Sequence, residues 1–176
     1  VVIVEDTIDA VVITQDITIQ LDANGDASID TTMIDNGSND ACGILSYALD
    51  ITTFDCTNIG ENTVTLTVTD NNGNVSSETA VVTVEDTIDA VVITQDITIQ
   101  LDANGDASID TTMIDNGSND ACGILSYALD ITTFDCSNIG ENTVTLTVTD
   151  TNGNVSSETA VVTVEDTIDA VVITQD

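Results

Sequence analysis

The chain has 176 residues and carries 32 acidic side chains but no Lys, Arg or His. No carboxylate can pair with a cationic side chain, and self-repulsion of this size destabilises a compact state unless cations gather near it. Nucleic acid and anionic membrane surfaces are excluded as partners because phosphate recognition needs Arg or Lys. Membrane insertion is not expected either, since no segment reaches the roughly 18 consecutive apolar residues of a span.

An internal repeat dominates the sequence. A shift of 80 residues aligns the chain with itself, and only Ile3 to Thr83, Thr57 to Ser137 and Asn71 to Thr151 change. A fixed period of this length predicts an array of similar small domains. The predicted boundaries are 1–5 for the last-strand end of a preceding repeat, 6–85 and 86–165 for two repeats, and 166–176 for the linker and first strand of a following one. Both ends are expected to be cuts in a longer array.

Within one repeat, apolar and polar residues alternate with a period of two, which predicts β-strands rather than helices. Thr, Val and Ile fill these segments and favour strands as well. Phe54 is predicted to fill the core between them. The predicted strands, in chain order, are Val11 to Thr14, Ile17 to Leu21, Ala27 to Thr31, Ile44 to Asp50, Val64 to Val68 and Ala80 to Val84.

Turn signals separate the predicted strands. Asn24-Gly25 and Asn72-Gly73 each predict a tight hairpin, because Asn-Gly accepts the positive φ values that such turns require. Some seven short strands in about 80 residues predict an all-β fold, in which tandem immunoglobulin-like Greek-key β-sandwich domains form an elongated rod. The segment 50–62 leaves open whether it holds one strand or two, and that choice decides at which end of the domain the Asp70 turn lies.

Each repeat holds two cysteines, Cys42 and Cys56 in the first and Cys122 and Cys136 in the second. Even counts at repeated spacing favour a disulfide within each repeat and an oxidising compartment, with buried free thiols as the alternative. Neither pair has the CxxC spacing of a zinc site, and there is no His to complete one.

Two stretches carry a family resemblance: NDACGI at 39–44 and FDCTNIGENTVTLTVTDNNGNVSSETAVVTV at 54–84. They resemble the hyalin-repeat family, which shares a Cys-Gly after an Asp/Asn-rich loop, a TVT strand and an Asp-x-x-Gly-Asn turn. The resemblance covers nearly all of both repeats and implies immunoglobulin-like domains used in tandem in large bacterial cell-surface adhesins. Relatives often carry a second cysteine pair where this chain has Ile13 and Ser77, which leaves only the Cys42 to Cys56 type of pair to assign.

The acidic loops predict calcium sites. The linker, the loop before the third strand and the turn before the last strand are expected at one end of a repeat, and the DANGD loop of the preceding repeat faces them. Carboxylate and amide oxygens at this density suit Ca²⁺, which takes six to eight oxygen ligands. The alternative is that these residues only stabilise turns. The candidate ligands at the junction of the two repeats are Glu85, Asp86, Asp89, Asp115, Asp120, Asp150, Asn152 and Asn154, with Asp22, Asn24 and Asp26; the equivalent upstream set is Glu5, Asp6, Asp9, Asp35, Asp40, Asp70, Asn72 and Asn74.

O-glycosylation is a candidate modification of the chain. Asp-Thr-Ile at Thr7, Thr87 and Thr167 resembles the Asp-Thr-apolar acceptor used in one bacterial phylum. Enzymatic activity is not expected, because no His, Lys or Arg can serve as a triad base, Schiff-base amine or guanidinium clamp.

These observations predict a structural stalk repeat of an extracellular, cell-surface adhesin, rigidified by calcium at the interdomain junctions. Its partners would be the neighbouring repeats of the same chain. The alternative is a self-assembling extracellular fibre, in which copies associate side by side or add a strand to an exposed sheet edge. Sugar binding through calcium is a third interpretation, but two Tyr and no Trp leave no stacking platform.

Overall fold

The structure is a computed structural model that describes residues 1–169. The chain divides into two compact units, Val1–Ile88 and Asp89–Asp176. The predicted strand of a following repeat, within 166–176, lies mostly outside the described residues.

Within residues 1–169, each unit has six strands, one turn of α-helix and one turn of 3-10 helix. In the first unit these are β1 Ile17–Gln20, β2 Asp26–Ser28, α1 Thr31–Ile34, β3 Ile44–Leu49, β4 Thr53–Asp55, the 3-10 turn Cys56–Asn58, β5 Gly60–Asp70 and β6 Val75–Glu85. In the second unit they are β7 Ile97–Gln100, β8 Asp106–Ser108, α2 Thr111–Ile114, β9 Ile124–Leu129, β10 Thr133–Asp135, the 3-10 turn Cys136–Asn138, β11 Gly140–Asp150 and β12 Val155–Glu165.

The strands form one large and one small sheet in each unit. The large sheet of the first unit has the order β1-β6-β5-β3, and the small sheet pairs β2 with β4. The first strand runs parallel to the last, and β5 runs antiparallel to both of its neighbours. The second unit repeats this topology with β7-β12-β11-β9 and β8-β10. The predicted all-β, immunoglobulin-like sandwich class is confirmed.

The alternating residues of the two long strands supply most of the core. Val64, Leu66 and Val68 on β5 and Val82 and Val84 on β6 are fully buried, while the threonines between them stay partly exposed. Full burial of one such side chain is worth about 1.5–3 kcal/mol relative to exposure. The alternation therefore fixes which face of the large sheet turns inward.

The small sheet and the helical turn close the other side of the core. Phe54 on β4 is 3% exposed, so its predicted core role is confirmed. In the second unit its equivalent Phe134, together with Ile114 from α2, packs in one cluster with Val144 and Leu146 of the large sheet.

Two of the predicted strands differ from the structure. Val11 to Thr14 forms only isolated bridges, Val11 with Asn39 and Thr14 with Asp35. The strand predicted from Ala27 to Thr31 ends at Ser28, because the Asp30 side chain accepts the Thr32 N–H and caps α1 instead. Aspartate is among the preferred N-cap residues, and it competes here with the β-preference of the two threonines that follow.

The two Asn-Gly turns differ from each other. The turn at Asn72-Gly73 joins the paired strands β5 and β6, as predicted. The turn at Asn24-Gly25 is not a hairpin, because β1 and β2 belong to different sheets. In both turns the positive φ falls on glycine alone, at 79° for Gly25 and 93° for Gly73.

The predicted disulfide within each repeat is wrong. In the first unit Cys42 carries a free thiol although Cys56 is disulfide-bonded, and in the second unit Cys136 carries a free thiol although Cys122 is disulfide-bonded. Cys56 follows β4 and precedes the first residue of β5, while Cys42 is hydrogen-bonded to Asn71, just past the last residue of β5. Eleven residues of strand separate those ends by about 33 Å, and a disulfide requires Cα atoms about 4.4–6.8 Å apart.

Candidate functional site

Two carboxylates lie beside one thiol, with a third carboxylate nearby, at the end of the first unit where its N-terminal segment packs. Asp6 lies on that segment, Asp40 lies in the loop before β3, and Asp70 ends β5. Ligand atoms of Asp6, Asp40 and Cys42 all lie within 4.8 Å of one another. We refer to Asp6, Asp40, Cys42, Asp70 and the adjoining Asn74 as the acid cluster.

Asn74 ties the N-terminal segment to the β5–β6 turn. Its Nδ2 donates to the backbone oxygens of Asp6 at 3.2 Å and Ile8 at 3.3 Å, and to Asp70 Oδ2 at 2.7 Å. Ser76 Oγ adds a 2.7 Å bond to the Ala10 carbonyl. The Asp70 turn therefore lies at the end reached by the N-terminal segment, which settles the choice that the segment 50–62 left open.

Asp70 is a buried carboxylate with no cationic side chain to pair with. Its side chain is fully buried and accepts the backbone N–H groups of Asn72 at 2.8 Å and Asn74 at 2.9 Å. Burial raises the pKa of Asp70, but the hydrogen bonds from the Asn74 side chain and from the turn backbone outweigh it and hold the pKa below its ordinary value. The fold therefore keeps a negative charge at this position.

The pKa of Cys42 responds mainly to Asp6 and only weakly to Asp70. A hydrogen bond to Asp6, the charge of Asp6, burial and the charges of Asp40 and Asp70 together raise the pKa of the Cys42 thiol. The thiol is neutral at physiological pH, so the carboxylate oxygens remain the donors available to a hard cation.

The DANGD loop lies at the opposite end of the unit. Asp22 Oδ1 accepts the N–H groups of Asn24 at 2.8 Å and Asp26 at 3.1 Å. Leu21, next to this loop, donates its N–H to the Glu85 carbonyl at 2.9 Å, which places the loop beside the end of β6. One repeat thus presents carboxylates at both of its ends.

Not every candidate ligand joins a cluster. Asp35 accepts the Ser38 N–H at 3.0 Å and lies beside Tyr47 and the α1 turn, away from the acid cluster. Asp9 lines the same surface depression as Asp6 and Asp40, whereas Glu5 is exposed and Asn72 contributes its backbone N–H. In the second unit, Asp120 accepts the Cys122 N–H at 2.8 Å, and Asp150 binds its turn at Asn152 and Asn154 as Asp70 does.

The glycosylation candidates are on the surface. Thr7, Thr87 and Thr167 are exposed. The hydroxyls of Thr87 and Thr167 donate to Gln20 and Gln100 at 3.1 Å and 3.0 Å. Their modification stays a prediction.

Most of the aspartates are stabilised by backbone N–H groups. Nine of the eleven aspartates in residues 6–85 accept a backbone N–H group. They are Asp6, Asp16, Asp22, Asp30, Asp35, Asp40, Asp50, Asp55 and Asp70. Charge-assisted bonds of this kind are about twice as strong as neutral ones. Backbone dipoles thus take over part of the role that Lys and Arg have in other proteins.

Most of these bonds are local, and the sequence pattern could have indicated them, since Asp accepts the N–H two residues ahead in turns and caps. Two are not local. Asp16 binds the Val81 N–H at 2.7 Å and Asp50 binds the Thr65 N–H at 2.8 Å. Such long-range partners depend on the strand register and leave no signal in the sequence.

In the part of the chain that the structure describes, no helix is long and apolar enough to cross a membrane. No family model matches the chain, and no curated protein matches it.

Solved structures share a general likeness to it. Human mucin-like protocadherin EC1-2 is 16% identical, with a TM-score of 0.37 over 86% of this chain and 96% of that one. Mouse clustered PcdhgC3 EC1-3 is 11% identical, with a TM-score of 0.39 over 90% and 68%. The protocadherin gammaB7 EC3-6 cis-dimer is 15% identical, with a TM-score of 0.41 over 92% and 52%. At these scores the likenesses carry no inference about ligands.

Proposed function

We propose that each unit is a structural stalk repeat of an extracellular bacterial adhesin of the hyalin-repeat type, and that calcium stiffens the array at the ends of the repeats. The observation that supports this proposal is the approach of Asp6 and Asp40 to within 4.8 Å of each other at the end of the unit that receives the preceding segment, where Asn74 links that segment to Asp70.

Calcium is the cation whose chemistry suits these donors. Asp6 and Asp40 offer carboxylate oxygens, and Asp70 Oδ2 has one acceptor bond from Asn74, which leaves it capacity for another partner. Calcium accepts six to eight oxygens in flexible geometry, so water and backbone carbonyls can complete its shell. Zinc would favour sulfur and nitrogen donors, and this group offers a single sulfur and no His nitrogen.

The mechanical role rests on what Asp6 is attached to. Asp6 lies on the segment that Asn74 and Ser76 already hold by its backbone oxygens. A cation shared by Asp6 and Asp40 would add a side-chain link between that segment and the loop before β3. The segment entering the repeat would then have less freedom to swing.

An extracellular location follows from the cysteine chemistry. Cys56 and Cys122 are disulfide-bonded, and disulfides persist mainly in oxidising compartments. We place the repeats outside the cell for this reason, and the hyalin-repeat resemblance favours the cell surface. We assign them no catalytic role, because their acids bind backbone groups and the chain has no His, Lys or Arg.

A self-assembling fibre is the second candidate. The edge strand β3 favours it, since Leu45 is 66% exposed and Tyr47 is 38% exposed. A bulge between Ile44 and Ser46 interrupts that edge, however, and bulged edges resist strand addition. Sedimentation in calcium separates the two: monomeric repeats support the stalk, and large polymers support the fibre.

The calcium proposal is tested by thermal unfolding in calcium and in a chelator. A ligand at a hundred times its Kd stabilises the native state by about 2.7 kcal/mol. We expect the wild type to gain roughly 10 °C or more in calcium, since about 1 kcal/mol shifts the Tm of a domain this small by about 4–8 °C.

The variant for this test is Asp40→Asn combined with Asp120→Asn. The matched control is Glu61→Gln combined with Glu141→Gln, which removes the same charge at exposed positions near the start of β5 and β11. The control should keep the calcium shift, and the aspartate variant should lose most of it. Superimposed wild-type curves in calcium and chelator would refute the proposal.

A further inference from the structure

The only exposed aromatic rings of the chain belong to its two tyrosines. The chain has two Tyr, two Phe and no Trp. Phe54 and Phe134 are 3% exposed and fill the cores, whereas Tyr47 and Tyr127 are each 38% exposed. Each tyrosine lines a surface depression together with one aspartate and two threonines. The exposed aromatic surface is therefore concentrated at one position of the repeat, beside a carboxylate.

The depression is small and is built from two elements of one unit. In the first unit Thr31 and Thr32 begin α1, Asp35 follows its last residue, and Tyr47 lies on β3. The volume is about 170 Å³, and the equivalent depression of the second unit has about 160 Å³. Pockets for whole drug-sized molecules measure about 300–1,000 Å³. This depression therefore suits the end of a single side chain.

The carboxylate and the ring are held in place by the fold. The Asp35 backbone N–H donates to the Thr31 carbonyl at 2.9 Å, and Asp35 Oδ1 accepts the Ser38 N–H at 3.0 Å. Tyr47 is paired with Val68 in the large sheet. Because both groups lie on fixed elements, a ligand has little ordering cost to offset when it binds them.

The charge of the depression is negative. Burial and the charge of Asp35 raise the pKa of Tyr47, and burial and Asp115 do the same for Tyr127. The face of an aromatic ring is itself the negative part of its quadrupole. The chain supplies no Lys, Arg or His to neutralise this site. Anionic ligands are thus disfavoured, and a cationic group from another molecule complements the depression.

We propose that the depression binds an arginine side chain of a basic partner polypeptide, with one such site on each repeat. The guanidinium group stacks on the Tyr47 ring and pairs with the Asp35 carboxylate. The hydroxyl oxygens of Thr31 and Thr32 accept its remaining N–H groups. Arginine fits better than lysine, because a planar, weakly hydrated guanidinium stacks on aromatic rings whereas an ammonium is strongly hydrated.

This site is separate from the proposed calcium site, since Asp35 lies away from the acid cluster. An array of repeats offers the same site many times, so a partner with several arginines gains affinity when more than one of them binds at once. The proposal therefore adds a binding role to the stalk and does not depend on calcium.

The test titrates the whole chain with arginine amide and, as the neutral control of the same shape, with citrulline amide. The measurement is the NMR shift of the Tyr47 and Tyr127 rings. Salt at about 0.15 M shortens the Debye length to about 8 Å and limits general attraction to the acidic chain. Arginine amide should give saturable shifts at both rings, and citrulline amide much smaller ones. Equal shifts from citrulline amide or from glucose would overturn the proposal, because they would show a site for neutral ligands.

Tyrosine variants test the stacking. Binding to them is followed at the N–H groups of Ser38 and Ser118, which bond to the two aspartates of the depressions. Tyr47→Leu combined with Tyr127→Leu keeps every charge and should weaken arginine binding about two- to fivefold, as expected for a cation–π contact at an exposed site. The corresponding Phe variants keep the rings and should retain most of the binding. Leucine variants that bind as tightly as the wild type would overturn the stacking contact.

A charge control separates the site from the net charge of the chain. Asp35→Asn combined with Asp115→Asn should weaken arginine binding, whereas Glu61→Gln combined with Glu141→Gln removes the same charge at exposed positions and should not. Equal losses in the two variants would overturn the proposal, because they would show attraction by net charge alone.

Discussion

The hydrogen bonds of Asn74 predict a measurable loss of stability when that side chain is removed. Asn74→Ala deletes the bonds to the Asp6 and Ile8 carbonyls and to Asp70. Each bond contributes about 0.5–1.5 kcal/mol net, and the site is only partly buried, so we expect a loss of about 2 kcal/mol for the first repeat. Asn74→Asp should cost more, because it replaces a donor with a charge beside Asp70.

Urea unfolding measures this loss. For a domain of this size the slope is about 1 kcal/mol per M, so the midpoint of the first repeat should fall by about 2 M. The second repeat, with Asn154 intact, is the internal reference. Asn71→Thr is the matched control, since the second repeat has Thr151 at this position, and it should leave the midpoint unchanged. If Asn74→Ala shifts the midpoint no more than Asn71→Thr, the N-terminal segment is not held as we describe.

Three further predictions follow from the core, the aspartates and the thiol. Leu66→Ala should lower the free energy of unfolding of the first repeat by about 2–5 kcal/mol in urea. Leu45→Ala, on an exposed bulge, should change that free energy by less than about 0.5 kcal/mol. Equal effects would contradict the assigned core. The hydrogen bond from the Thr65 N–H holds the pKa of Asp50 below its ordinary value, so its stabilisation is present above about pH 4 and is lost as the pH falls through the lower folded pKa. In Asp50→Asn the stability of the first repeat should therefore decline less steeply with acid than in the wild type. An unchanged pH profile would count against the bond. Asp6→Asn should lower the raised pKa of the Cys42 thiol, so Cys42 should be alkylated faster near pH 8 relative to Cys136. An unchanged ratio of the two alkylation rates would contradict the Asp6 contact.

The fold was largely predictable because apolar and polar residues alternate along its strands. Alternation at Val64, Leu66 and Val68 has only one arrangement that buries the apolar side of a sheet. Val11 to Thr14 shows the limit of this signal, since its residues favour strands but find only single bridges to Asn39 and Asp35. Alternation predicts which face is buried and not whether a neighbouring strand is available.

Of the candidate site, the sequence could predict which loops lie at the same end of the domain, since this depends only on the direction of the strands. Once β5 and β6 form a hairpin, the Asp70 turn and the segment before β1 reach the same end, and Asp6 follows. The disulfide prediction was wrong because spacing along the sequence gives no distance across the fold, and Cys42 and Cys56 lie at opposite ends of β5. The bond from Asp16 to Val81 was invisible for the same reason.

The calcium content of the folded chain tests the central claim most directly. After equilibrium dialysis against calcium, elemental analysis of wild-type protein should find at least one bound ion per chain above the buffer level, held by the acid cluster. Asp6→Asn combined with Asp40→Asn should lower that count by one, while Glu61→Gln should leave it unchanged. A wild-type content equal to that of the dialysis buffer would contradict the account.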